Sequence, residues 1–421
     1  MAYTNGGWTD LISDFMLYTQ DYQSSEIHRT WSAITLVGGA CERRIWLEVG
    51  SNVNYPNLYV FLVAPPGYGK GIIDVVRHLW YETRDLEHSA SNGEMKRAFN
   101  IAPQNLTRAS LIDDLQEAKQ TRILEKVNPL KNQGSPTFIY HTLLIPAEEF
   151  ELLLPVYDPH FISTVNAIWN NPATHEETRR HGPAKEVTII NPQFTIIGGV
   201  QPAYFVSHFP EYAWETGLAR RAIMIYSDMD IVKDPFHKSP GRERIKEHIL
   251  YRLGMIATKF GRMTLSNNAE GFIRDWHMEG GPPTPTHSKL NSYKKSRTQI
   301  LIKLAMIAAI SRTGEMFIQS EDARRALDWM LEAEARMPDV FRAMTGKSDS
   351  QILEELHYFL LQSYRDKKKP VHERDVYEFL TLRATTDKIA GLILTAEKTQ
   401  RMVRVSNDSW MPRPKLLHGV A

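Results

Sequence analysis

The chain of 421 residues is 42% hydrophobic and 24% charged, a globular composition with material for about two to four modules. Fifty Lys and Arg against forty-nine Asp and Glu give a formal charge of +1, so no global field attracts a polyanion and any nucleic-acid surface must be local. Cys41 is the single cysteine, which excludes a disulfide framework, a cysteine zinc site and an iron–sulfur cluster. That usage fits a reducing cytoplasm. The opening MAYTNGGWTD lacks the basic-then-apolar order of a signal peptide. The longest apolar run, Ile300–Ile310, is broken by Lys303 and is too short to cross a bilayer. A soluble intracellular chain without a membrane partner is the expectation.

No repeat, heptad array or low-complexity tract interrupts the pattern. Residues 8–41 read as helices, with Trp8, Leu11 and Phe15 near helical spacing and Ile34, Leu36 and Val37 continuing the stripe. A strand is expected at Arg44–Val49 and an apolar, β-branched one at Leu58–Val63. The second runs through Ala64–Gly71 into a helix over Ile72–Tyr81, which is how an α/β unit starts. Further strands are expected at Phe99–Ala102, Phe138–Ile145, Val187–Ile190, Phe194–Ile197 and Ile223–Tyr226. Helices lie between several of them, for instance Thr107–Gln120 with Thr107 as its cap. Apolar strands alternating with helices argue for a mainly parallel, covered sheet.

From about Pro240 the pattern turns helical, broken at Gly280–Pro285, with a linker expected near Gly346-Lys347-Ser348. The last stretch orders a helix at Gln351–Tyr364, a basic turn Lys367-Lys368-Lys369-Pro370, helices at Glu373–Leu380 and Asp387–Lys398, and a strand at Arg401–Val405. That order is the order of a winged helix-turn-helix. From Lys367 to the end, eleven basic residues face six acidic ones, a local net of +5. Lys367, Lys368 and Lys369 are its candidate nucleic-acid contacts.

Ala64-Pro65-Pro66-Gly67-Tyr68-Gly69-Lys70-Gly71-Ile72 carries the strongest local signal. A phosphate-binding loop needs backbone amides converging on oxygen, glycines where side chains would block that approach, a lysine for the terminal phosphates and a helix start behind it. Gly67, Gly69 and Lys70 fit, between an apolar strand and a helix. Two positions depart from the pattern. Ala64 replaces its first glycine, and Gly71 replaces the Ser or Thr that normally ligates Mg²⁺. A plain Pro/Gly turn between strand and helix is the competing reading.

Hydrolysis also needs a carboxylate at the end of a neighbouring strand. Pro146-Ala147-Glu148-Glu149 offers Glu149 to activate water and Glu148 beside the metal, although the usual strand-terminal Asp is absent. A Glu pair at a helix start would look the same. His175-Glu176-Glu177 and His372-Glu373 lack a second histidine at helical spacing, so metalloprotease chemistry is not expected. Trp276, Trp329 and Trp410 read as core or interface aromatics.

Tyr55-Pro56-Asn57-Leu58-Tyr59-Val60 leading into this loop resembles phage- and prophage-encoded replication ATPases of the helicase or primase-helicase type. So do Asn191-Pro192-Gln193-Phe194-Thr195-Ile196-Ile197-Gly198-Gly199-Val200-Gln201-Pro202 and Gly217-Leu218-Ala219-Arg220-Arg221. More distantly the chain is similar to AAA+ replicative helicases of the minichromosome-maintenance type, over roughly residues 20–335. The resemblance implies Gln201 as a sensor of the γ-phosphate, Arg221 with Arg220 as an arginine finger in a neighbouring subunit's site, and Arg297 as a second sensor. An arginine pair flanking a strand and a basic helix start are the alternatives for these arginines. In related rings a basic hairpin before the sensor strand tracks nucleic acid; Arg179, Arg180 and Lys185 would do so here through phosphates, unless the segment is only an exposed basic loop.

The expected architecture is therefore α/β: an N-terminal helical segment (1–50), an AAA+-like P-loop NTPase core (51–235), a helical lid (236–347) and a C-terminal winged helix (348–421). The expected function is an ATP- and Mg²⁺-dependent DNA helicase or translocase. It would form a homo-oligomeric, hexameric ring on single-stranded or forked DNA, with other replication proteins, in a bacterial host's cytoplasm. An ATP-switched loader or initiator, or a non-enzymatic DNA-binding scaffold, stays open. A primase fusion is disfavoured, because no carboxylate cluster or zinc ribbon precedes the loop.

Overall fold

Burial on both faces separates the inner strands from the rest of the chain. In a computed structural model, five strands form one sheet: β1 (Tyr59–Val63), β2 (Lys119–Ile123), β3 (Thr137–Ala147), β4 (Pro192–Val200) and β5 (Ala222–Tyr226). The structure describes residues 9–89, 95–103, 108–124, 137–153, 158–178, 186–208, 214, 217–344, 349–381, 383, 386–406 and 408–412. They divide into two units, Met1–Val340 and Phe341–Ala421.

In the first unit the strand order is β5-β1-β4-β3-β2. β5, β1, β4 and β3 run parallel, and β2 is an antiparallel edge. β1 and β4 are buried at every residue, as parallel strands with covered faces must be. β2 alternates exposed and half-buried positions. The strand expected at Phe99–Ala102 shrinks to a single parallel bridge, Ile101 to Leu144. Two bonds hold it: Leu144 N–H to Asn100 O at 2.9 Å and Ala102 N–H to Leu144 O at 2.8 Å.

Helix α1 (Glu26–Cys41) starts at Ser25, whose hydroxyl accepts from His28 N–H at 3.4 Å. Helix α2 (Ile72–Glu82) packs on α1 so closely that a Cβ on Gly39 would stand 2.6 Å from the Trp80 ring. Trp80 Nε1 donates to Leu36 O at 3.1 Å across that contact. Helix α3 (Pro159–Trp169) is capped by Asp158. Helices α4 (Arg242–Thr258), α5 (Arg297–Thr313) and α6 (Ser320–Met344) complete the helical part. The segments expected as helical start and core, with the expected lid as far as Val340, lie in this one unit.

The apolar run at 300–310 becomes the buried helix α5, and no helix among the described residues is long and apolar enough to cross a membrane. Lys303 lies fully buried on it. Its ammonium donates to Asn57 O at 3.0 Å and Asn57 Oδ1 at 2.7 Å, and sits 3.8 Å over the Trp169 ring. Burial holds its pKa well below the ordinary lysine range.

Two arginines dock α4 onto the sheet. Arg44 donates to Ala257 O, and Arg122 to Ala257 O and Thr258 O, carbonyls left unpaired at the helix end. Beside Arg44, Glu42 is fully buried just after α1, with a left-handed φ of 46°. Its carboxylate pairs with Arg44 at 3.2 Å and accepts from Gln120 at 3.0 Å and Tyr140 at 3.2 Å. Burial nevertheless pushes its pKa up to about 7, with Arg44 opposing.

The second unit runs α7 (Asp349–Lys367), β6 (Val371–His372), α8 (Glu373–Thr381), α9 (Thr386–Lys398), β7 (Met402–Ser406) and β8 (Ser409–Pro412). Its sheet is antiparallel in the order β6-β8-β7. Leu356, Leu360, Val376, Leu380, Leu392 and Trp410 make its own core. Trp410 Nε1 donates to Glu397 at 2.7 Å.

Glu42 sets a pH dependence. A folded-state pKa near 7, above the ordinary 4.5, contributes stability that is full below about pH 4.5 and lost as pH rises through about 7. Glu42→Gln should lack that loss. Its melting temperature relative to the parent should shift in the variant's favour from about pH 5 to about pH 8. A gap that stays constant with pH would contradict the assignment.

Candidate functional site

Parallel register brings the ends of three strands to one edge. Val63 of β1 lies opposite Val200 of β4, and Gly198 of β4 opposite Ala147 of β3. The loops that follow these strands therefore converge where ligands of open α/β sheets bind, beyond the carboxyl ends of the strands. They enclose a cavity of about 440 Å³. Its wall includes the loop 66–71, Glu148 and Glu149 after β3, and Gln201 after β4.

The loop's sequence explains its shape. Ala64 still belongs to the ladder, donating to Val200 O at 3.1 Å with its side chain buried, so glycine is not required there. Gly67 and Gly69 are left-handed, with φ of 84° and 69°, where a side chain is strained. Gly69 also abuts the segment before α1, since a Cβ there would stand 2.3 Å from Gln23 O. Gly71 is the residue before α2, with a φ of −60° and no side-chain cap. Open space surrounds a Cβ at that position, so neither backbone nor packing demands its glycine.

Lys70 Nζ donates to Ala64 O at 2.8 Å and Pro65 O at 3.0 Å, folding the loop around the ammonium. Burial lowers its pKa, and Glu151 and Glu149 oppose that shift. Its contacts are neutral carbonyls, which leave the charge available to an anion. The first turn of α2 adds backbone N–H groups and a positive dipole end.

Glu148 is half-buried and Glu149 exposed. Burial, followed by repulsion from and hydrogen bonding with the Asp74 carboxyl, raises the Glu148 pKa, while Arg77 opposes. Gly199 is the counterpart on β4. A Cβ there would stand 2.2 Å from Glu148 O, so glycine is what lets this carboxylate-bearing turn lie against the strand. The oxygen donors of Glu148 and Glu149 suit a hard cation such as Mg²⁺, while Gly71 contributes no ligand.

The arginines lie elsewhere. Ala222 pairs with Tyr59, the first residue of β1, so Arg220 and Arg221 sit at the opposite edge of the sheet from the cavity. Arg220 Nε donates to Ser296 Oγ at 2.8 Å. Arg221 donates to Gly217 O at 3.1 Å and Asn170 Oδ1 at 3.2 Å. Among the described residues, no carboxylate pairs with either guanidinium.

Arg297 corrects an expectation. It is buried and donates to both oxygens of Glu334 at 2.7 Å, to Gly281 O, and to Pro283 O at 2.9 Å. Removing one partner of such a buried pair costs about 3–5 kcal/mol. Arg297 is a strut of the helical part, and its donors are consumed there rather than offered to a phosphate.

Arg179, Arg180 and Lys185 lie outside the described residues, between paired strands at Thr174–Thr178 and Glu186–Ile190. Thr107 and Gly346-Lys347-Ser348 lie outside them as well. Lys367, Lys368 and Lys369 are exposed. The charge around them is less one-sided than the tail count suggests, because residues 349–412 carry ten basic and ten acidic side chains. Arg383 pairs with Glu355 at 3.1 Å, Lys388 with Asp349 at 3.6 Å and Arg404 with Glu397 at 3.1 Å.

Sequence reasoning missed Gln23, Glu151 and Gly199, all of which line the cavity. Gly199 had a local signal, a Gly-Gly pair inside an apolar strand. Gln23 and Glu151 had none. No protein-family model matches the chain, and no curated protein sequence matches it either.

Gly199→Ala should cost about 1–3 kcal/mol in urea unfolding, the price of forcing β4 and Glu148 apart. Gly71→Ser should stay within about 0.5 kcal/mol of the parent. Equal stabilities for Gly199→Ala and the parent would contradict the close approach.

Proposed function

We propose that the chain is a P-loop ATPase of AAA+-like architecture that assembles as a homo-oligomeric ring, a hexamer, and moves DNA in phage-type replication. The observation that carries this reading is the convergence of Lys70, two left-handed glycines, Glu148, Glu149 and Gln201 on one cavity at the carboxyl edge of a parallel sheet. In this reading the triphosphate takes over the Lys70 ammonium from the carbonyls of Ala64 and Pro65, and the loop amides meet its oxygens. Glu149 orients the attacking water, and Gln201 contacts the γ-phosphate. Glu148 would hold Mg²⁺, which would neutralise charge developing on the phosphates.

Arg221 lies too far round the sheet to serve its own cavity, which supports action in a neighbouring copy. The second unit has the element order of a winged helix. Arg383, Lys388 and Arg404 are paired with acids, and Lys367, Lys368 and Lys369 are the DNA contacts we assign there; Arg179, Arg180 and Lys185 would add a channel contact. The working partners are single-stranded or forked DNA and other replication proteins, in a bacterial cytoplasm.

One observation favours a second reading, an ATP-switched loader or initiator with slow hydrolysis: Gly71 supplies no hydroxyl for the metal. The two readings separate by ATP turnover with and without single-stranded DNA.

Lys70→Ala should abolish ATP binding in calorimetry without unfolding the chain, because its side chain lies on a loop rather than in the core. Unchanged binding would refute the site. Gly71→Ser should raise Mg²⁺-dependent turnover severalfold, since the open space there admits the missing ligand. A rate identical to the parent's would mean that the carboxylates already complete the metal's coordination. Neutralising Lys367, Lys368 and Lys369 together should flatten the dependence of log affinity for DNA on log salt by about 0.7–0.9 per lost phosphate contact. An unchanged slope would remove this turn from the DNA surface.

A further inference from the structure

The guanidinium of Arg221 is built into its place by two residues that the proposed chemistry leaves unused. We infer that Asn170 and Gly217 are positioning residues for Arg221, holding its guanidinium still while leaving its charge free for a phosphate-type anion carried by a second copy of this chain. The inference rests on the reading of Arg221 as a residue acting in trans.

Three observations carry it. First, space: a Cβ on Gly217 would stand 2.5 Å from Arg221 NH1 and 2.7 Å from Asn166 Nδ2. Gly217 is not among the left-handed glycines, so a side chain there would meet no backbone strain but would displace the Arg221 guanidinium and the Asn166 amide. Second, the chemistry of the holders: Gly217 O and Asn170 Oδ1 are both neutral acceptors. A carboxylate at position 170 would hold the arginine more tightly but would neutralise it. Burial and the adjacent Arg220 already press against its charged form, with Tyr59 opposing, so an incoming anion relieves an unfavourable charge.

Third, the anchorage of Asn170. It ends α3, and the next residue, Asn171, turns the chain with a left-handed φ of 50°. That turn is pinned from three directions. Asn171 Nδ2 donates to Asn57 Oδ1 at 3.1 Å, Gln193 Nε2 donates to Asn171 Oδ1 at 3.0 Å, and Arg43 donates to Asn171 O at 2.8 Å. Asn57 in turn receives the buried Lys303 ammonium. The exposed amide that meets Arg221 thus stands on a corner fixed to the core.

The test compares Asn170→Ala, Asn170→Asp, Gly217→Ala and Arg221→Ala in the full-length protein. ATP affinity is measured by calorimetry and turnover at saturating ATP. Arg221→Ala should lower turnover by about 10³-fold or more. Asn170→Ala and Gly217→Ala should each lower kcat by about ten- to a hundredfold through misplacement, with ATP affinity within twofold of the parent because the chain's own cavity is untouched. Asn170→Asp should lose at least as much kcat as Asn170→Ala. Mixing Asn170→Ala subunits with Lys70→Ala subunits should restore turnover, since an intact cavity then meets an intact arginine. A purely structural role for Asn170 would move stability and affinity together and would give no such rescue.

Parent-like kcat in both Asn170 variants, with Arg221→Ala inactive, would overturn the positioning inference alone. Parent-like turnover in Arg221→Ala would overturn the trans reading and the inference with it. If Lys70→Ala, which lacks a working cavity, still bound inorganic phosphate in an Arg221-dependent way, the anion would come from solution rather than from a second copy, and the inference would fall in that form.

Discussion

The register between β1 and β4 governs the rest of the molecule. Their pairing runs from Tyr59 opposite Ile196 to Val63 opposite Val200, and it fixes where each following residue leaves the sheet. Ala64 completes the ladder, so the chain turns only at Pro65, and the glycines then carry it back over the strand ends. Gln201 leaves β4 one residue past the same line. Shifting this register by one residue would exchange the two faces of a strand buried on both and carry Gln201 away from Lys70. Gly199 belongs to the same constraint, because it lets Glu148 lie against β4.

In the proposed reading, charge is distributed around that frame so that one chain would hold half of a reaction centre. Among the described residues lining the cavity, one cation, Lys70, stands against Glu148, Glu149 and Glu151. The guanidiniums that would complement a reacting phosphate stand at the other edge, held by neutral oxygens. An anion brought by another copy would meet them without competition from a carboxylate among the described residues. The separation of Lys70 from Arg221 is thus a consequence of parallel strands, whose beginnings and ends lie on opposite edges.

Much of this was legible in the sequence wherever local chemistry dictated it. The run at 58–63 could only be a strand buried on both faces, and the Pro/Gly composition of 64–71 could only turn. The helices of the second unit matched their periodicity to within a few residues. What failed was set by partners distant in sequence. Arg297 resembled a second sensor, and nothing nearby announced that Glu334, thirty-seven residues on, would pair with it in the interior. Phe99–Ala102 has strand chemistry but finds only Leu144 to bridge. The +5 tail lost its one-sidedness once the acids of α7 entered the balance, Glu355 pairing with Arg383 and Asp349 with Lys388 of α9. Gln23 entered the cavity through its backbone contact with Gly69, which no local pattern encodes.

The central claim is that a nucleoside triphosphate binds where the loop 64–71 meets the ends of β3 and β4. A crystal structure of the protein with a non-hydrolysable ATP analogue and Mg²⁺ tests it most directly. The account predicts triphosphate density in this cavity, with Lys70 Nζ withdrawn from the carbonyls of Ala64 and Pro65 and bound to the terminal phosphates. Density elsewhere on the chain, or Lys70 still closed on its own loop in a nucleotide-bound structure, would contradict it.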